Sequence, residues 1–183
     1  GHRFHTRSDT EVIVHAWEEW GEDCVLRFRG MFAFGLWDRN RQTFFIARDR
    51  LGVKPLHYAL LDDGTLVFGS ELKVLMQHPG IDRRIDPLAV EEYFSLGYVA
   101  EPRTIFKGAR KLQPAESLCI RRGEPPPAPK TYWDVRFSLD NPLSLGEACA
   151  ELTERLDESV RLRMISDVPL GAFLSGGLDS TII

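Results

Sequence analysis

Length, composition and charge describe a soluble globular protein with room for one ordinary domain, or for one domain and part of another. The 183 residues are 43% hydrophobic and 27% charged, a balance that excludes a disordered or fibrous chain. The net charge of −4 argues against nucleic acid as a partner. No run of 18 apolar residues occurs, so we expect no membrane span.

Cysteine and histidine usage predicts neither disulfides nor a metal centre. The cysteines are an odd number without a C-x-x-C spacing, which favours free thiols in a reducing compartment. No basic-then-apolar leader opens the chain, and we expect a cytoplasmic protein. The histidines show no metal-ligand spacing and are interpreted as structural. These residues are Cys24, Cys119 and Cys149, and His2, His5, His15, His57 and His78.

An amphipathic helix is predicted over residues 9–20. Ser8 or Asp9 can cap its start, and Gly21 ends it. One apolar stripe at helical spacing predicts the buried face of this helix. We expect the tryptophans of the region to lie in the core. The stripe is Val12, Ile13, Ala16, Trp17 and Trp20, and the tryptophans are Trp17, Trp20 and Trp37.

Two β-hairpins follow this helix. Short apolar runs separated by polar turns predict strands over residues 32–37 and 43–47, and again over 57–61 and 66–69. An Asp-Pro pair then predicts the start of a helix, because proline suits the first helical position. The further predicted elements are a short helix over 71–77, a helix from Asp86-Pro87 to Gly97, and a strand over 118–121.

A proline-rich segment over residues 123–129 divides the chain. Such a composition is typical of a semi-rigid, exposed connection between domains. We therefore expect a first domain over residues 1–122, a linker over 123–143, and the start of a second domain over 144–183.

The second domain begins with a helix, a strand and a glycine-rich loop. Ser144 and Glu147 form the capping box of a long helix that ends near residue 166. Residues 170–174 predict a short buried strand. Residues 175–180 read SGGLDS, and the two glycines let backbone N–H groups face an anion, as in a phosphate-binding loop. The alternative is an ordinary Gly-Gly turn with an Asp-Ser cap.

The loop offers groups for both phosphate and a metal ion. Hydroxyl and backbone N–H groups would bind phosphate, whereas Asp179 would repel phosphate directly and is predicted to hold Mg²⁺. No lysine follows the glycines, so the loop differs from the Walker type. The predicted phosphate-binding residues are Ser175, Gly176, Gly177 and Ser180.

Residues 167–180 resemble the pyrophosphatase loop of the N-type ATP pyrophosphatases and, within that group, the glutamine-hydrolysing asparagine synthetases. Thr181 is a mild departure, because the family commonly has serine there. The resemblance implies ATP and Mg²⁺ as cofactors and places Leu174 beside the nucleotide.

Four segments of the first domain resemble class II glutamine amidotransferase domains, in the expected order. The resemblance implies an α+β fold of the N-terminal-nucleophile type (αββα, with two stacked antiparallel sheets), here without its N-terminal part. The first helix and strand of an α/β ATP-pyrophosphatase domain would follow. The segments are residues 1–13, 28–38, 47–56 and 68–73.

One residue of the implied glutamine site is present. Asp9 matches the aspartate that binds the α-ammonium group of glutamine, and the alternative is that Asp9 merely caps the following helix. The family nucleophile is a cysteine at residue 1 of the mature parent, and its oxyanion hole is an Asn-Gly pair; both would lie before Gly1. We therefore expect an internal fragment that has no catalytic residue, with its own three cysteines excluded as nucleophiles.

The charged residues Arg48, Asp49 and Arg50 allow two interpretations. A run of charges usually means a solvated cluster. The family resemblance instead implies a structural role near a domain interface.

Together these features predict glutamine-dependent asparagine synthesis by the parent protein. Glutamine, aspartate and ATP would be its small-molecule partners, and the sequence leaves the oligomeric state open, with a homodimer as one option. One alternative is a related ATP-dependent amidotransferase that acts on another carboxylate acceptor. The other is a non-catalytic amidotransferase-like module.

Overall fold

The computed structural model describes residues 1–139 and 142–182 and divides the chain into two compact units, Gly1–Val135 and Arg136–Ile183. The first unit combines helices with two antiparallel sheets, so the fold is α+β, as predicted. Among the described residues, no helix has both the length and the apolar character that crossing a membrane requires.

Helix α1 spans Asp9–Trp20, as predicted. Of the two predicted capping residues, Ser8 and Asp9, the cap is Ser8. The Ser8 hydroxyl accepts a hydrogen bond from the Thr10 N–H at 3.2 Å. Gly21, with a φ of 56°, ends the helix and begins the 3-10 helix Gly21–Leu26. Trp17 is buried, but Trp20 and Trp37 are about half exposed, at 45% and 50%.

The exposed tryptophans correct the prediction that all three lie in the core. The indole N–H of Trp17 donates to the Asp38 carboxylate at 2.8 Å, which satisfies its one donor inside the protein. Trp20 lies at the end of the apolar stripe, where the Arg27 guanidinium stacks 5.3 Å from its ring centre.

The first sheet has the strand order β1-β2-β6-β7, with every pair antiparallel. The predicted first hairpin is confirmed, with Phe34 opposite Ala47. Its strands are β1 (Ala33–Asp38), β2 (Thr43–Arg48), β6 (Glu116–Arg121) and β7 (Lys130–Thr131).

The second sheet has the order β4-β3-β5 and contains the second predicted hairpin. The predicted helix after Asp86 is also confirmed, since the Asp86 side chain accepts from Leu88 N–H and Gly97 adopts the left-handed conformation that ends it. The elements are β3 (His57–Leu60), β4 (Leu66–Gly69), β5 (Arg110–Lys111), α2 (Leu72–Leu75) and α3 (Pro87–Leu96).

Both faces of β2 are covered, which explains why its sequence is almost continuously apolar. Phe45 and Ala47 pack with Ala16 and Trp17 of α1. Ile46 points the opposite way, since side chains alternate along a strand. It joins a second cluster that draws from both sheets: Leu56, Tyr58, Leu112 and Leu118.

The outer face of the second sheet has its own core. Ala59 points away from its neighbour Tyr58 and packs with Leu75 of α2, together with Ile81 and Ala109. The first unit therefore has three apolar clusters among its described residues. Because side chains alternate along a strand, β2 contributes to the first and second clusters, and β3 contributes to the second and third.

The second unit contains helix α4 (Leu145–Arg163) and the short helix α5 (Leu178–Ile182). The predicted capping box is confirmed, because the Glu147 carboxylate accepts from the Ser144 N–H at 2.8 Å and the Ser144 hydroxyl accepts from the Glu147 N–H. The Glu151–Arg155 and Asp157–Arg161 pairs, four residues apart, also support α4.

The predicted buried strand over residues 170–174 is wrong. No strand is assigned to the described part of the second unit, residues 136–139 and 142–182, and Leu170, Phe173 and Leu174 are exposed. A strand requires a neighbour for its backbone hydrogen bonds, and these residues supply none. The apolar residues that suggested a strand therefore have no sheet to join here.

We predict that the β2 core dominates the stability of the first unit. Phe45→Ala should lower the free energy of unfolding by about 3–5 kcal/mol, since Phe45 is fully buried and its loss leaves a cavity. The matched control Phe94→Ala, at an 83% exposed position of α3, should change it by less than about 0.5 kcal/mol. Urea unfolding measures both, and equal effects would contradict this account of the core.

Candidate functional site

A cleft of about 580 Å³ opens on the first unit beside the start of α1. Its other wall is the segment that leads into β1, together with residues of the loop between the hairpins. The volume suits a small molecule such as an amino acid. The lining residues used below are Asp9, Phe32 and Lys54.

Asp9 is the first residue of α1 and lines this cleft. Since Ser8 caps the helix, the alternative reading of Asp9 as the cap is not what the structure shows. The Asp9 carboxylate is exposed, and its one described hydrogen bond is from the Thr10 hydroxyl at 3.4 Å. The carboxylate also lies at the positive end of the helix dipole.

Glu11 holds the segment that precedes Asp9. Its carboxylate accepts hydrogen bonds from the N–H groups of His5 and Thr6, both at 2.6 Å, and from the Thr6 hydroxyl. These bonds, with that of the Thr6 hydroxyl the largest cause, lower the pKa of Glu11 to about 2. Sequence analysis did not find this role, since a glutamate in the first turn is equally typical of a dipole interaction.

Behind the opposite wall, the buried carboxylate of Asp49 organises the loop between the hairpins. It is 1% exposed and accepts four backbone N–H groups at 3.0–3.2 Å. One donor is Phe32, at the entry to β1, and the other three are Leu51, Val53 and Lys54. A single side chain therefore fixes two cleft residues, Phe32 and Lys54, relative to each other.

The neighbouring guanidinium of Arg48 completes this support. It is 6% exposed and donates to the carbonyl groups of Gly52, Lys54 and Leu112 at 2.6–2.8 Å. Its Nη1 also lies 2.7 Å from the Glu101 carboxylate. Arg48 and Asp49 are thus internal structural groups, and the interpretation as a solvated charge cluster is wrong for both.

Gly52 allows this packing because of its backbone conformation and its lack of a side chain. Its φ is +64°, and a Cβ atom there would lie 2.8 Å from Pro114 and 3.0 Å from the Arg48 guanidinium. Nearby, Arg50 donates to the carbonyl groups of Leu26 and Phe28, next to the cleft.

Two of the cysteines are in environments that suppress thiolate formation. Burial raises the pKa of Cys24 to about 11 and that of Cys119 to about 12. Neither thiol lines the cleft. Both facts agree with the prediction that these cysteines are not nucleophiles.

In the second unit, the SGGLDS loop brings its hydroxyl groups together. The Ser175 and Ser180 oxygens are 2.8 Å apart, and the Thr181 hydroxyl donates to the Gly177 carbonyl at 2.8 Å. Gly176 has a φ of +78°. A Cβ atom on Gly177 would lie 3.4 Å from the Ser175 oxygen and 3.9 Å from that of Ser180, which is ordinary van der Waals contact.

Two further predicted nucleotide residues lie at the edge of the loop. Leu174 is exposed, and Asp179 projects from the first turn of α5 into solvent. The structure therefore brings Ser175, Gly177 and Ser180 together through hydrogen bonds. Leu174 precedes this group in sequence and Asp179 lies within it, and no contact between these two residues is described.

Two of the histidines that lack metal-ligand spacing in the sequence lie close together in the fold. His2 and His15, 13 residues apart, converge with Glu18 so that one ligand atom of each lies within 4.8 Å of the others. Sequence spacing did not reveal this cluster because the chain folds back along α1.

Comparison with known proteins defines the class to which this fold and cleft belong. A family model described as the glutamine amidotransferase domain matches residues 1–133, and the chain belongs to this family. A second family model, described as asparagine synthase, matches residues 151–183.

The individual relatives include asparagine synthetases and an amidase. Glutamine-hydrolyzing asparagine synthetases 3 and 1 of Bacillus subtilis (strain 168) are 41% and 37% identical, each across 100% of this chain. A protein named amidase chyE of Penicillium rubens is 33% identical across 96% of the chain. The chain spans less than a third of the length of these relatives, at 29%, 28% and 26%.

We predict that the buried Asp49 carboxylate is required for the stability of the first unit. Asp49→Asn should lower the free energy of unfolding by about 3 kcal/mol. The amide nitrogen of asparagine cannot accept hydrogen bonds, so some of the backbone N–H groups that donate to the Asp49 oxygens would lose their acceptor. Asp62→Asn, in an exposed turn, is the matched control and should change it by less than about 0.5 kcal/mol. Denaturant titration of the two variants measures the difference, and equal stabilities would show that the network is dispensable.

A second prediction concerns the segment before Asp9. Glu11 makes its hydrogen bonds as a carboxylate, so they are fully present above the ordinary pKa of 4.5 and are lost as the pH falls through about 2. Thr6→Val removes the hydrogen bond from the Thr6 hydroxyl, which is the largest cause of the lowered pKa of Glu11. The variant should therefore raise this pKa towards 4.5.

Carboxyl chemical shifts followed by NMR as a function of pH test this. The Glu147 carboxyl, whose pKa is lowered by Ser144 in the other unit, is the internal control and should not respond to Thr6→Val. A Glu11 midpoint that is unchanged in the variant would contradict the assignment.

Proposed function

We propose that the protein to which this chain belongs makes asparagine, with glutamine as the nitrogen donor and an ATP-activated aspartate as the acceptor. The observation that carries this proposal is the order of two families within one chain, an amidotransferase domain over residues 1–133 and the beginning of asparagine synthase over 151–183. Relatives named for this activity match the whole chain.

The proposal includes the finer architecture. We assign the first domain, residues 1–122, to the N-terminal-nucleophile fold, with residues 123–143 as the linker and residues 144–183 as the start of an ATP-pyrophosphatase domain. Support for the four-layer arrangement comes from the core, where one apolar cluster draws from both sheets and α1 and α2 pack on their other faces.

In the first domain, Asp9 would bind the α-ammonium group of glutamine. A carboxylate opposite an ammonium makes a charge-assisted hydrogen bond worth about 1.5–3 kcal/mol when it is shielded from water. Three features support this role: Asp9 lines the cleft, it is not used as the helix cap, and the segment before it is held by Glu11.

In the second domain, the SGGLDS loop would bind the phosphates of ATP. The hydroxyl groups of Ser175 and Ser180, 2.8 Å apart, would donate hydrogen bonds to phosphate oxygens, and the Asp179 carboxylate fits the oxygen ligands that Mg²⁺ prefers. When bound, Mg²⁺-ATP supplies the leaving group that activates a carboxylate. The proposed residues are Leu174, Ser175, Gly176, Gly177 and Ser180 for ATP, and Asp179 for Mg²⁺.

The division into two domains has a chemical reason. Ammonia released from glutamine would be protonated in bulk water, and an acyl-adenylate would be hydrolysed there. Separate sites that exclude water protect both reagents until they meet. We place this reaction in the cytoplasm, without nucleic acid as a partner and with a homodimer as a compatible assembly.

A second candidate function is amidation of another carboxylate by the same chemistry. A relative named an amidase, 33% identical over 96% of the chain, shows that proteins similar to this chain are not all named asparagine synthetases. The two functions share glutamine and ATP and differ in the acceptor, so the identity of the amide product separates them.

The test is the Asp9→Asn variant of the full-length protein, assayed for asparagine with glutamine or with ammonium chloride as the nitrogen source. We expect kcat/KM for glutamine to fall about 10- to 100-fold, the loss of one charge-assisted hydrogen bond, while the ammonia-dependent rate is unchanged. Asp179→Asn should lower both rates, since both need the activated acceptor.

Asp62→Asn is the matched control and should leave both rates as they are, because Asp62 lies in an exposed turn outside the cleft and the loop. If Asp9→Asn lowered the two rates equally, the assignment of Asp9 to glutamine would be wrong. If the unaltered protein amidated a different acceptor and not aspartate, the second candidate function would replace the first.

A further inference from the structure

One face of α1 carries an arrangement that the proposed function does not use. His15 and Glu18 are three residues apart and therefore lie on the same side of the helix. The His15 Nδ1 atom is 3.0 Å from the Glu18 carboxylate. His2 approaches from the preceding segment, with its Nδ1 atom 3.4 Å from the same oxygen of Glu18.

These separations are short enough for one metal ion to bind all three side chains. Zinc takes imidazole nitrogen and carboxylate oxygen at about 2.0–2.2 Å in tetrahedral geometry, which places neighbouring ligand atoms about 3.3 Å apart. The 3.0 and 3.4 Å separations around Glu18 lie close to this value. The three ligand atoms lie within 4.8 Å of one another, and the two imidazole rings are already adjacent, with centres 4.7 Å apart.

The other nitrogen of His15 provides an independent observation. His15 Nε2 is buried and makes no hydrogen bond within the described residues, yet the Glu11 carboxylate lies only 3.5 Å away. A metal-binding histidine characteristically directs its second nitrogen at such a carboxylate, which fixes the tautomer and orients the ring. Glu11 is itself held in place by the His5 and Thr6 N–H groups.

The charge of the cluster also favours a cation. Three carboxylates, from Glu11, Glu18 and Glu19, surround two imidazoles, and Glu19 lies 3.4 Å from His2 Nε2. Imidazole with carboxylate is a ligand set of zinc and related transition metals rather than of Mg²⁺, which prefers oxygen alone.

We propose that His2, His15 and Glu18 bind a divalent transition-metal ion, with Zn²⁺ the expected occupant, and that Glu11 orients His15 from outside the coordination sphere. The ion would tie the segment before Asp9 to α1, on the helix whose first residue lines the cleft. Its role is structural, and the proposal stands independently of the reaction proposed above.

The competing account is a set of ion pairs between protonated histidines and glutamates. Hydrogen bonding to Glu18 raises the pKa of His15, which is the direction that such pairs require. This account predicts that the full chain binds no metal here.

Cobalt(II) titration of the full-length protein, with zinc as a competitor, distinguishes the two. The experiment uses a Cys149→Ser background, because Cys149 is an exposed thiol that could bind the same ions. We expect one equivalent of Co²⁺ to bind with the intense visible absorption of a tetrahedral site, and Zn²⁺ to displace it. ATP and Mg²⁺ are omitted, so the result does not depend on the nucleotide loop.

The informative variants are His2→Ala and Glu18→Gln, whose side chains are substantially exposed and can be replaced without opening the core. Each should weaken Zn²⁺ binding by ~10-fold or more. His5→Ala, in the same segment but outside the cluster, is the matched control and should bind as before. Zn²⁺ should also raise the Tm of the control but not that of His2→Ala.

Two results would overturn the proposal. One is the lack of any saturable uptake of Co²⁺ or Zn²⁺ by the Cys149→Ser protein, which the ion-pair account predicts. The other is binding that survives undiminished in both His2→Ala and Glu18→Gln, which would place the ion elsewhere.

Discussion

The buried Arg48–Asp49 pair is the constraint on which the cleft depends. A carboxylate that is removed from water is costly unless its oxygens are fully hydrogen-bonded, and Asp49 meets this condition with four backbone N–H groups. The Arg48 guanidinium satisfies three carbonyl groups of the same region. Backbone segments that are distant in sequence are thereby joined by hydrogen bonds, and two of the cleft residues, Phe32 and Lys54, share the Asp49 carboxylate.

On the opposite side of the cleft, three residues at the start of α1 have three different structural roles. Ser8 caps α1, Glu11 holds the incoming segment, and Asp9 between them lines the cleft. Because capping and anchoring are done by its neighbours, Asp9 is available to a ligand. The same anchoring by Glu11 also positions His15, so the cleft and the histidine cluster share one support.

The sequence predicted the features that depend on residues close together in the chain, and it missed those that depend on residues far apart in the chain. Helix α1, both hairpins and the capping box of α4 depend on periodicity or on residues a few positions apart, and these predictions were confirmed. Strands β5 and β7 have two residues each and are too short to show a pattern. The strand expected over 170–174 failed because strand formation depends on partners elsewhere, and the approach of His2 to His15 likewise arises only in the folded chain. Motif resemblance supplied Asp9 and the loop residues, while the buried roles of Arg48 and Asp49 required knowledge of their contacts.

Glutamine binding in the cleft is the central claim, and hydrogen–deuterium exchange of the full-length protein with and without glutamine tests it most directly. Bound glutamine should slow exchange in the peptides that contain the cleft-lining residues of segments 9–13, 27–34 and 54–55, and leave the α3 peptide over residues 87–96 unchanged. Slowed exchange confined to other parts of the protein, with the cleft peptides unaffected at saturating glutamine, would contradict it.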